Sequence, residues 1–430
     1  MNAPHALSDY AHLVQPDRVH SAIYTDPAIF EQEMARIFHR AWLCVGHEAE
    51  LPNPGDFRAT TLGRQPVIMV RGEDGQVRVF MNRCRHRGMT VCETETGNAR
   101  FFTCWYHGWV YKNTGPLQDV PGPAGYGADF HKEDFGLTLV PRQASYRGFV
   151  FASLAPTGPT LAEHLGPAAK YLDIYMDASP VGDIDVTAGV HRTRYRGNWK
   201  FVGMDGYHPH YTHRSVLDAW RRRSGGNMAD THHGDPFADE SGNLTRDLGN
   251  GHVLLDFFPG RMAHLDRYLG TLRKLPQGED YIQAMHTAYG EQRGNELLAW
   301  AGDPHVGIYP NLQLIGVQIR LVRPVSVDET EVLMFPGLLK GVPASVNSMR
   351  LRQHESFYGP SGAGSPDDAE LFERNQEGLQ AGVEPWLYLA RGLNRERVEP
   401  DGTRVGLVGD ETTQRGQLRG WLKLMSEASA

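Results

Sequence analysis

The chain has 430 residues, more than one ordinary domain needs, and a formal net charge of −8 without a dense run of Lys and Arg, which excludes nucleic acid as a partner. It contains no apolar run of about 18 residues, and its first residues lack a basic segment followed by an apolar core, so we expect no membrane segment and a cytoplasmic location. The four cysteines are too few for a disulfide framework at this length, which fits a reducing compartment.

An amphipathic helix is predicted near the start of the chain, in residues 20–40. Apolar side chains recur there with a helical period, and they follow Asp26 and Pro27, a pair typical of a helix N-terminus. We therefore treat residues 1–40 as a helical lead-in.

Strand patterns dominate the next part of the chain. Segments such as QPVIMVRG, VRVFMN and YRGFVFASL alternate or run apolar between turn residues, which predicts a small all-β domain at residues 41–155. A stretch rich in Pro and Gly follows at 154–167 and is typical of a linker. Strands mixed with two helical patterns fill residues 156–430, which predicts an α+β domain with an antiparallel sheet and helices on one face.

Two loops of the predicted β domain each carry one cysteine and one histidine. They are Cys84 and His86 in CRHRGM, and Cys104 and His107 in CWYHGW. A structural zinc site more often takes a cysteine pair from each loop, whereas a Rieske 2Fe-2S cluster places two Cys on one iron and two His on the other. The mixed loops favour a Rieske cluster over structural zinc and over chance spacing.

A second group of metal-binding residue types lies beyond the linker, in MDGYHPHYTH. His208 and His213 are the predicted ligands of a mononuclear non-heme Fe(II), which takes two His and one carboxylate and keeps positions open for oxygen. Positions five apart do not share one face of a regular helix, so we predict an irregular helix around Pro209. Further on, Asp367 and Asp368 precede a helical pattern, and from the residues alone an N-cap and first-turn charge is the better explanation of that pair.

Together these motifs resemble the large catalytic subunits of the Rieske non-heme iron ring-hydroxylating oxygenases, over nearly the whole chain. The resemblance implies a helix-grip catalytic domain, in which an antiparallel sheet is cupped around a long helix. It also implies that Asp368, which follows a G-P-x-G segment, is the third ligand of the mononuclear iron. Respiratory-type Rieske proteins are excluded, because Met89 and Tyr106 stand where those proteins have a disulfide between the cluster loops.

The same resemblance assigns a role to Asp205. It implies that Asp205 accepts hydrogen bonds from His208 and from His107 of a neighbouring subunit, so that electrons cross between subunits of a trimer, α3 or α3β3. A plain structural role, such as capping a helix, is the alternative. This chain departs from the family here, because the segment between NWK (198–200) and Asp205 is shorter and lacks a Glu-Asn pair.

The activity implied is hydroxylation of an aromatic ring with O2. Electrons from NAD(P)H would arrive through a separate reductase, with or without a ferredoxin, because no G-x-G-x-x-G follows a strand in this chain. The alternatives are a monooxygenase or demethylase acting on a non-carboxylate or non-aromatic substrate, and a protein that only transfers electrons.

The substrate is expected to be a small aromatic carboxylate. HVGIYPNLQLIG and TTQRGQLRGWLKL resemble the benzoate, anthranilate and salicylate branch of the family. Such a substrate calls for an Arg in the pocket, although the sequence does not indicate which one. Residues 252–260, Phe201 and Tyr358 are candidates for the apolar wall, with an ordinary core role as the alternative.

Overall fold

The computed structural model describes residues 10–204, 241–300 and 302–426. It divides into two compact units, one formed by residues 38–161 and the other by the described residues up to Ile37 together with those from Ala162 onward. Within the described ranges, no helix is long and apolar enough to cross a membrane.

The predicted helix near the start of the chain is present. Helix α2 covers Pro27–Glu33, after a shorter helix α1 at Ala22–Thr25. The carboxylate of Asp26 accepts a hydrogen bond of 2.7 Å from the N–H of Ala28, and Pro27 occupies the first turn, where no N–H partner is needed. A π-helical turn at Met34–Phe38 continues the helix.

The unit at residues 38–161 is built from antiparallel strands, so the predicted all-β fold is confirmed. Its strands in chain order are β3 (Leu43–His47), β4 (Asp56–Leu62), β5 (Gln65–Arg71), β6 (Val77–Met81), β7 (Thr96–Asn98), β8 (Phe101–Thr103), β9 (Val110–Lys112), β10 (Leu117–Asp119), β11 (Arg142–Tyr146) and β12 (Phe149–Ser153). They form three sheets with the strand orders β6-β5-β4-β7, β10-β9-β8 and β11-β12-β3. Cys84 and Cys104 lie in its apolar core.

The larger unit contains an antiparallel sheet of nine strands. The strands of this unit are β1 (Val14–Gln15), β2 (Arg18–His20), β13 (Ile184–Asp185), β14 (His191–Tyr195), β15 (Leu244–Gly249), β16 (His252–Asp256), β17 (Val306–Ile308), β18 (Leu312–Ile315), β19 (Gln318–Ser326), β20 (Glu329–Pro336), β21 (Leu338–Leu339), β22 (Trp386–Tyr388), β23 (Arg397–Val398) and β24 (Arg404–Leu407). The large sheet has the order β14-β20-β19-β18-β17-β16-β15-β24-β23. All five residues of β16 are buried, as expected for a strand covered on both faces.

Helices flank this sheet and confirm the predicted α+β class. In chain order they are α3 (Leu161–Leu165), α4 (Ala169–Met176), α5 (Trp199–Met204), α6 (Phe258–Ala263), α7 (Leu265–Arg273), α8 (Gly278–Tyr289), α9 (Glu291–Trp300), α10 (Ala344–Gln353), α11 (Ser365–Gly378) and α12 (Thr412–Ser426). Helix α12 packs against β15 and β16. This contact between a long helix and the antiparallel sheet is the one that the helix-grip fold implies. The sequence patterns did not predict the four consecutive helices α6 to α9.

Candidate metal centres and substrate pocket

The loops of the smaller unit bring the four predicted cluster ligands together as two pairs. The thiols of Cys84 and Cys104 are buried and interact with each other. The imidazole rings of His86 and His107 have centroids 4.7 Å apart. All four cysteines of the chain lie among the described residues, and none of them forms a disulfide. A thiol pair beside an imidazole pair suits a binuclear cluster in which each iron takes one kind of ligand.

The two loops share one backbone pattern, although their Cys-to-His spacings differ. The N–H of Cys84 donates to the carbonyl of Met89 at 2.7 Å, and the N–H of Cys104 donates to the carbonyl of Trp109 at 2.8 Å. Gly88 and Gly108, each four residues after the cysteine, donate back to the cysteine carbonyls and have φ of +82° and +69°. Side chains are strained at such angles, so glycine is what lets both loops close.

The cluster ligands have surroundings that fit an inorganic group. Nδ1 of His86 is buried and has no hydrogen-bond partner among the described residues, which leaves it available as a metal ligand. The indole of Trp109 stacks on this imidazole, with ring centroids 5.0 Å apart and planes 4° apart. The hydroxyl of Tyr111 accepts from the N–H of Arg85 and lies 3.1 Å from Sγ of Cys84, to which it can donate its proton once that thiol is deprotonated.

Part of the predicted mononuclear iron site lies outside the described residues. This applies to Asp205, His208 and His213, and to the irregular helix predicted around Pro209. The structure does describe Asp368, in the first turn of α11, with one carboxylate oxygen buried. The N-cap of α11 is Gly364, which has no side-chain cap, so the prediction that the Asp367 and Asp368 pair caps this helix is wrong. Of that explanation, only the negative charge in the first turn of the helix remains.

Helix α5, which leads directly to residue 205, is anchored by a buried ionic network. Nζ of Lys200 lies 2.6 Å from the carboxylate of Glu33, and both side chains are fully buried. The indole N–H groups of Trp199 and Trp421 donate to the same carboxylate at 2.8 and 2.6 Å. Burial lowers the pKa of Lys200, which the charge of Glu33 opposes. The network fixes the start of the segment that carries the two predicted iron histidines.

An apolar cluster, called here the Tyr358 cluster, lies in the same unit. Its buried members are Val253, Leu255, Phe257, Ile315, Tyr358 and Val408. It contains Tyr358 and residues from the predicted wall at 252–260. Phe201 is elsewhere, because its ring stacks on Tyr24 at 4.8 Å. Burial raises the pKa of Tyr358. Ser365, in the same helix turn as Asp368, accepts from Nη2 of Arg320, whose guanidinium carbon is 5.2 Å from the Tyr358 ring centroid, so the first turn of α11 lies near this cluster.

Asp303 and its partners were missed by the sequence analysis. The carboxylate of Asp303 is 2.9 Å from Nη2 of Arg261 and accepts from the N–H of Gly316 at 2.7 Å. Burial opposes its ionisation, but the hydrogen bond with His305 and the charge of Arg261 hold its pKa well below the usual range. The ring of His305 packs edge-on against Phe257, 5.6 Å between centroids. The only local signal was an Asp and a His two residues apart.

A further group of metal-binding residue types, His191, His354 and Glu355, does not fit a metal. The amide oxygen of Gln318 accepts from Nε of Arg320, so the amide nitrogen donates to Nδ1 of His354 at 2.8 Å. The neutral imidazole therefore carries its proton on Nε2 and has no lone pair to offer.

Comparisons with known proteins agree with these features. Residues 41–137 match the family described as the Rieske 2Fe-2S domain. The large subunit of anthranilate 1,2-dioxygenase from Acinetobacter baylyi is 34% identical over 421 residues, which are 93% of this chain and 86% of that one. The large subunit of 2-halobenzoate 1,2-dioxygenase from Burkholderia cepacia is also 34% identical, over 90% and 83% of the two chains. The crystal structure of naphthalene 1,2-dioxygenase from Rhodococcus sp. bound to indole has 29% identity and a TM-score of 0.77, over 95% and 94%.

Proposed function

Because the chain belongs to the large catalytic subunits of the Rieske non-heme iron ring-hydroxylating oxygenases, we propose that it hydroxylates the ring of a small aromatic carboxylate with O2. Anthranilate and 2-halobenzoate, which the curated relatives are named for, are both aromatic acids. The observation that carries the proposal is the position of the first turn of α11, which holds the candidate iron ligand Asp368, near the apolar Tyr358 cluster. As a member of this family, the chain uses a Rieske 2Fe-2S cluster, a mononuclear non-heme iron and electrons that a reductase takes from NAD(P)H.

The cluster ligands proposed are Cys84 and Cys104 on one iron and His86 and His107 on the other. Their support is the two pairs that the loops form and the buried Nδ1 of His86. The stacked ring of Trp109 holds one imidazole in place. When bound, the cluster supplies single electrons at a raised potential, because neutral imidazoles replace two thiolates.

The mononuclear iron is proposed to be held by His208, His213 and Asp368, a set that leaves open positions for oxygen. Of this set, only Asp368 lies among the described residues. The Tyr358 cluster would bind the flat ring of the substrate and exclude water from it, and the Glu33 network would keep helix α5 in register.

We propose that Asp205 accepts hydrogen bonds from His208 and from His107 of a neighbouring subunit, in a trimer of type α3 or α3β3. The relatives are named as large subunits, which supports an assembly with a smaller partner chain. A ferredoxin between the reductase and this chain belongs to the same proposal. The lack of disulfides among its four cysteines, all of them described, supports a cytoplasmic location.

A single turnover tests the proposed activity. Chemically reduced enzyme with both metal centres filled is mixed with isotopically labelled O2 and with benzoates, anthranilates, salicylates or unsubstituted arenes, and the products are identified by mass spectrometry. We expect an aromatic acid to yield a diol with two labelled oxygen atoms. One labelled atom would indicate a monooxygenase. Product from neutral arenes alone would contradict the choice of a carboxylate substrate, and no product from any arene would contradict the activity itself.

A further inference from the structure

Arg320 is a buried cation whose hydrogen-bond acceptors are all neutral. Its side chain is on β19, and the residue is only 5% exposed. Nε donates to the amide oxygen of Gln318 at 2.9 Å, and Nη2 donates to the hydroxyl of Ser365 at 3.1 Å. In the part of the chain that the structure describes, no carboxylate lies within ion-pair distance of Arg320. Burying a charge without a counter-ion is unfavourable, so this guanidinium calls for an anion from outside.

Two other buried cations of the same unit are paired with carboxylates. Arg261 bonds the carboxylate of Asp303, and Arg415 bonds that of Glu396 at 2.7 Å. Arg350 also lacks a carboxylate among the described residues, but its Nε and Nη2 both donate to the backbone carbonyl of Gly337, at 3.0 and 2.8 Å. Arg350 therefore stabilises the backbone at Gly337, whereas Arg320 donates its hydrogen bonds to side chains.

Arg320 lies beside the candidate substrate pocket. Its guanidinium carbon is 5.2 Å from the ring centroid of Tyr358, which belongs to the apolar cluster. Ser365, the acceptor of Nη2, precedes Asp368 by three residues on α11, so both project from the same side of that helix. The cation and the candidate iron ligand are thus neighbours of the same aromatic ring.

The guanidinium is held in a fixed orientation with donors to spare. Gln318, which accepts from Nε, donates in turn to Nδ1 of His354 at 2.8 Å, and that imidazole is buried. The two bonds to Gln318 and Ser365 use Nε and one hydrogen of Nη2. Nη1 makes no hydrogen bond among the described residues, so donors remain for a carboxylate, which a guanidinium can bind with two parallel hydrogen bonds.

We propose that Arg320 binds the carboxylate of the aromatic substrate and thereby sets the preference of this enzyme for arene carboxylates over neutral arenes. The inference rests on the proposed function, since it names a substrate contact of the same site. The Tyr358 cluster binds the ring, and Arg320 fixes the orientation of the ring relative to the proposed metal ligand Asp368.

The test compares wild-type enzyme with Arg320→Gln, using benzoate and toluene as a matched acid and neutral arene. For the variant we expect kcat/KM with benzoate to fall about 100-fold or more, because a site built for a charged partner discriminates strongly, while kcat/KM with toluene stays within about threefold. Binding of benzoate to the oxidised holoenzyme, measured by calorimetry, should weaken by a similar factor. Arg323→Gln is the control, because Arg323 lies on the same strand and is paired with Glu331.

The outcomes separate the two proposals. If Arg320→Gln loses both substrates equally while the cluster spectrum is intact, or if it retains benzoate binding, Arg320 is not the carboxylate contact. If wild-type enzyme oxidises only neutral arenes, the oxygenase function stands and the inference fails. If it oxidises no arene, the proposed function fails, and the calorimetry alone then decides whether Arg320 binds benzoate. Should Arg320→Gln not fold, Arg320→Lys keeps the charge but not the two parallel bonds, and we expect a roughly tenfold loss with benzoate alone.

Discussion

At the scale of single residues, the buried pair of Lys200 and Glu33 carries the clearest energetic consequence. Replacing Lys200 with Met leaves the Glu33 carboxylate buried with only indole N–H partners. We expect the variant to lose about 3 to 5 kcal/mol of stability, because an uncompensated buried charge is costly. Urea unfolding measures this loss.

Two further variants make that test specific. The double variant Glu33→Gln with Lys200→Met should recover most of the stability, because no buried charge remains. Lys340→Met removes an ion pair with Asp183 whose side chains are about half exposed, and it should cost less than about 1 kcal/mol. Equal losses from Lys200→Met and Lys340→Met would show that burial of the first pair has no energetic effect.

Asp368 is proposed as the carboxylate ligand of the mononuclear iron, and its neighbour Asp367 provides a matched control. Asp368→Ala should abolish turnover and remove the mononuclear iron while leaving the visible spectrum of the cluster unchanged, since the cluster ligands are in the other unit. Asp367→Ala should retain the iron. Metal analysis together with absorption spectroscopy distinguishes the two, and an Asp368→Ala protein that keeps its mononuclear iron would disprove the assignment.

The hydroxyl of Tyr111 is placed to tune the cluster. It lies 3.1 Å from Sγ of Cys84 and can donate to that sulfur once the thiol is deprotonated, and hydrogen bonds to the sulfur ligands stabilise the reduced, more negative form. Tyr111→Phe should therefore lower the reduction potential, as followed by redox titration. Tyr106→Phe, which removes the hydroxyl of an exposed residue from the same loop region, should leave the potential unchanged. A potential that does not move in Tyr111→Phe would contradict this role.

The sequence indicated some residues of the candidate site and not others, for a physical reason. The pairing of the four proposed cluster ligands was predictable because each Cys and His pair is local and closes one short loop. Arg320 was not, because Arg320 and Arg323 are on opposite faces of β19 and only the packing of the sheet shows which face holds the pocket. The link between Arg261 and Asp303 joins residues far apart in sequence, so spacing gave no signal.

At the scale of elements, two glycines determine how closely helix α12 approaches the sheet. A Cβ at Gly420 would lie 2.5 Å from Cα of Gly251, and a Cβ at Gly416 would lie 2.8 Å from the side chain of Asp247. Gly420→Ala should therefore destabilise the protein by about 1 to 3 kcal/mol through overpacking against backbone. Thermal unfolding of the variant measures the effect.

Gly270→Ala supplies the opposite case. Gly270 lies inside helix α7, and a Cβ there would meet nothing within 4 Å. Alanine should stabilise that helix by up to about 1 kcal/mol, because glycine is a poor helix former. The two substitutions are chemically identical, so changes in stability of opposite sign would come from the packing alone. A stabilised Gly420→Ala protein would show that helix α12 can move away from the sheet freely.

The elements that the sequence predicted are those with strong local patterns. Helix α2 has its Asp and Pro start, and most long strands have apolar or alternating runs. Pairing of β2 with β22 was not predictable, because the partners are more than 360 residues apart and both strands have three residues. Helices α6 to α9 follow directly after the buried strand β16, and the apolar segment at 252–260 obscured the change from strand to helix.

At the scale of the whole molecule, the proposed route of electrons makes each subunit depend on its neighbour. If the cluster of one chain serves the iron of the next through Asp205, neither metal of a single chain can complete the reaction alone. A ring of identical subunits closes such a relay, because each chain then has one donor and one acceptor neighbour.

Two inactive variants can test this dependence. Cys104→Ala removes a proposed cluster ligand and keeps the iron ligands, while Asp368→Ala removes a proposed iron ligand and keeps the cluster loops. Each homotrimer should be inactive in turnover with the reductase. When the two chains are produced together, random mixing in a ring places an intact iron next to an intact donor cluster at about a quarter of the sites, so activity should return to about that level.

The recovered activity would distinguish transfer between subunits from transfer within one chain. Transfer inside a chain cannot restore turnover, because no chain in the mixture has both centres. The matched control mixes two other chains. One carries Cys104→Ala, Asp205→Asn and Asp368→Ala together, and the other carries Asp368→Ala alone and keeps its cluster loops. Neither chain has an intact iron site, so this mixture must stay inactive. If the first mixture is also inactive while mass analysis finds mixed trimers, electrons do not cross between subunits, and Asp205 then has the structural role instead.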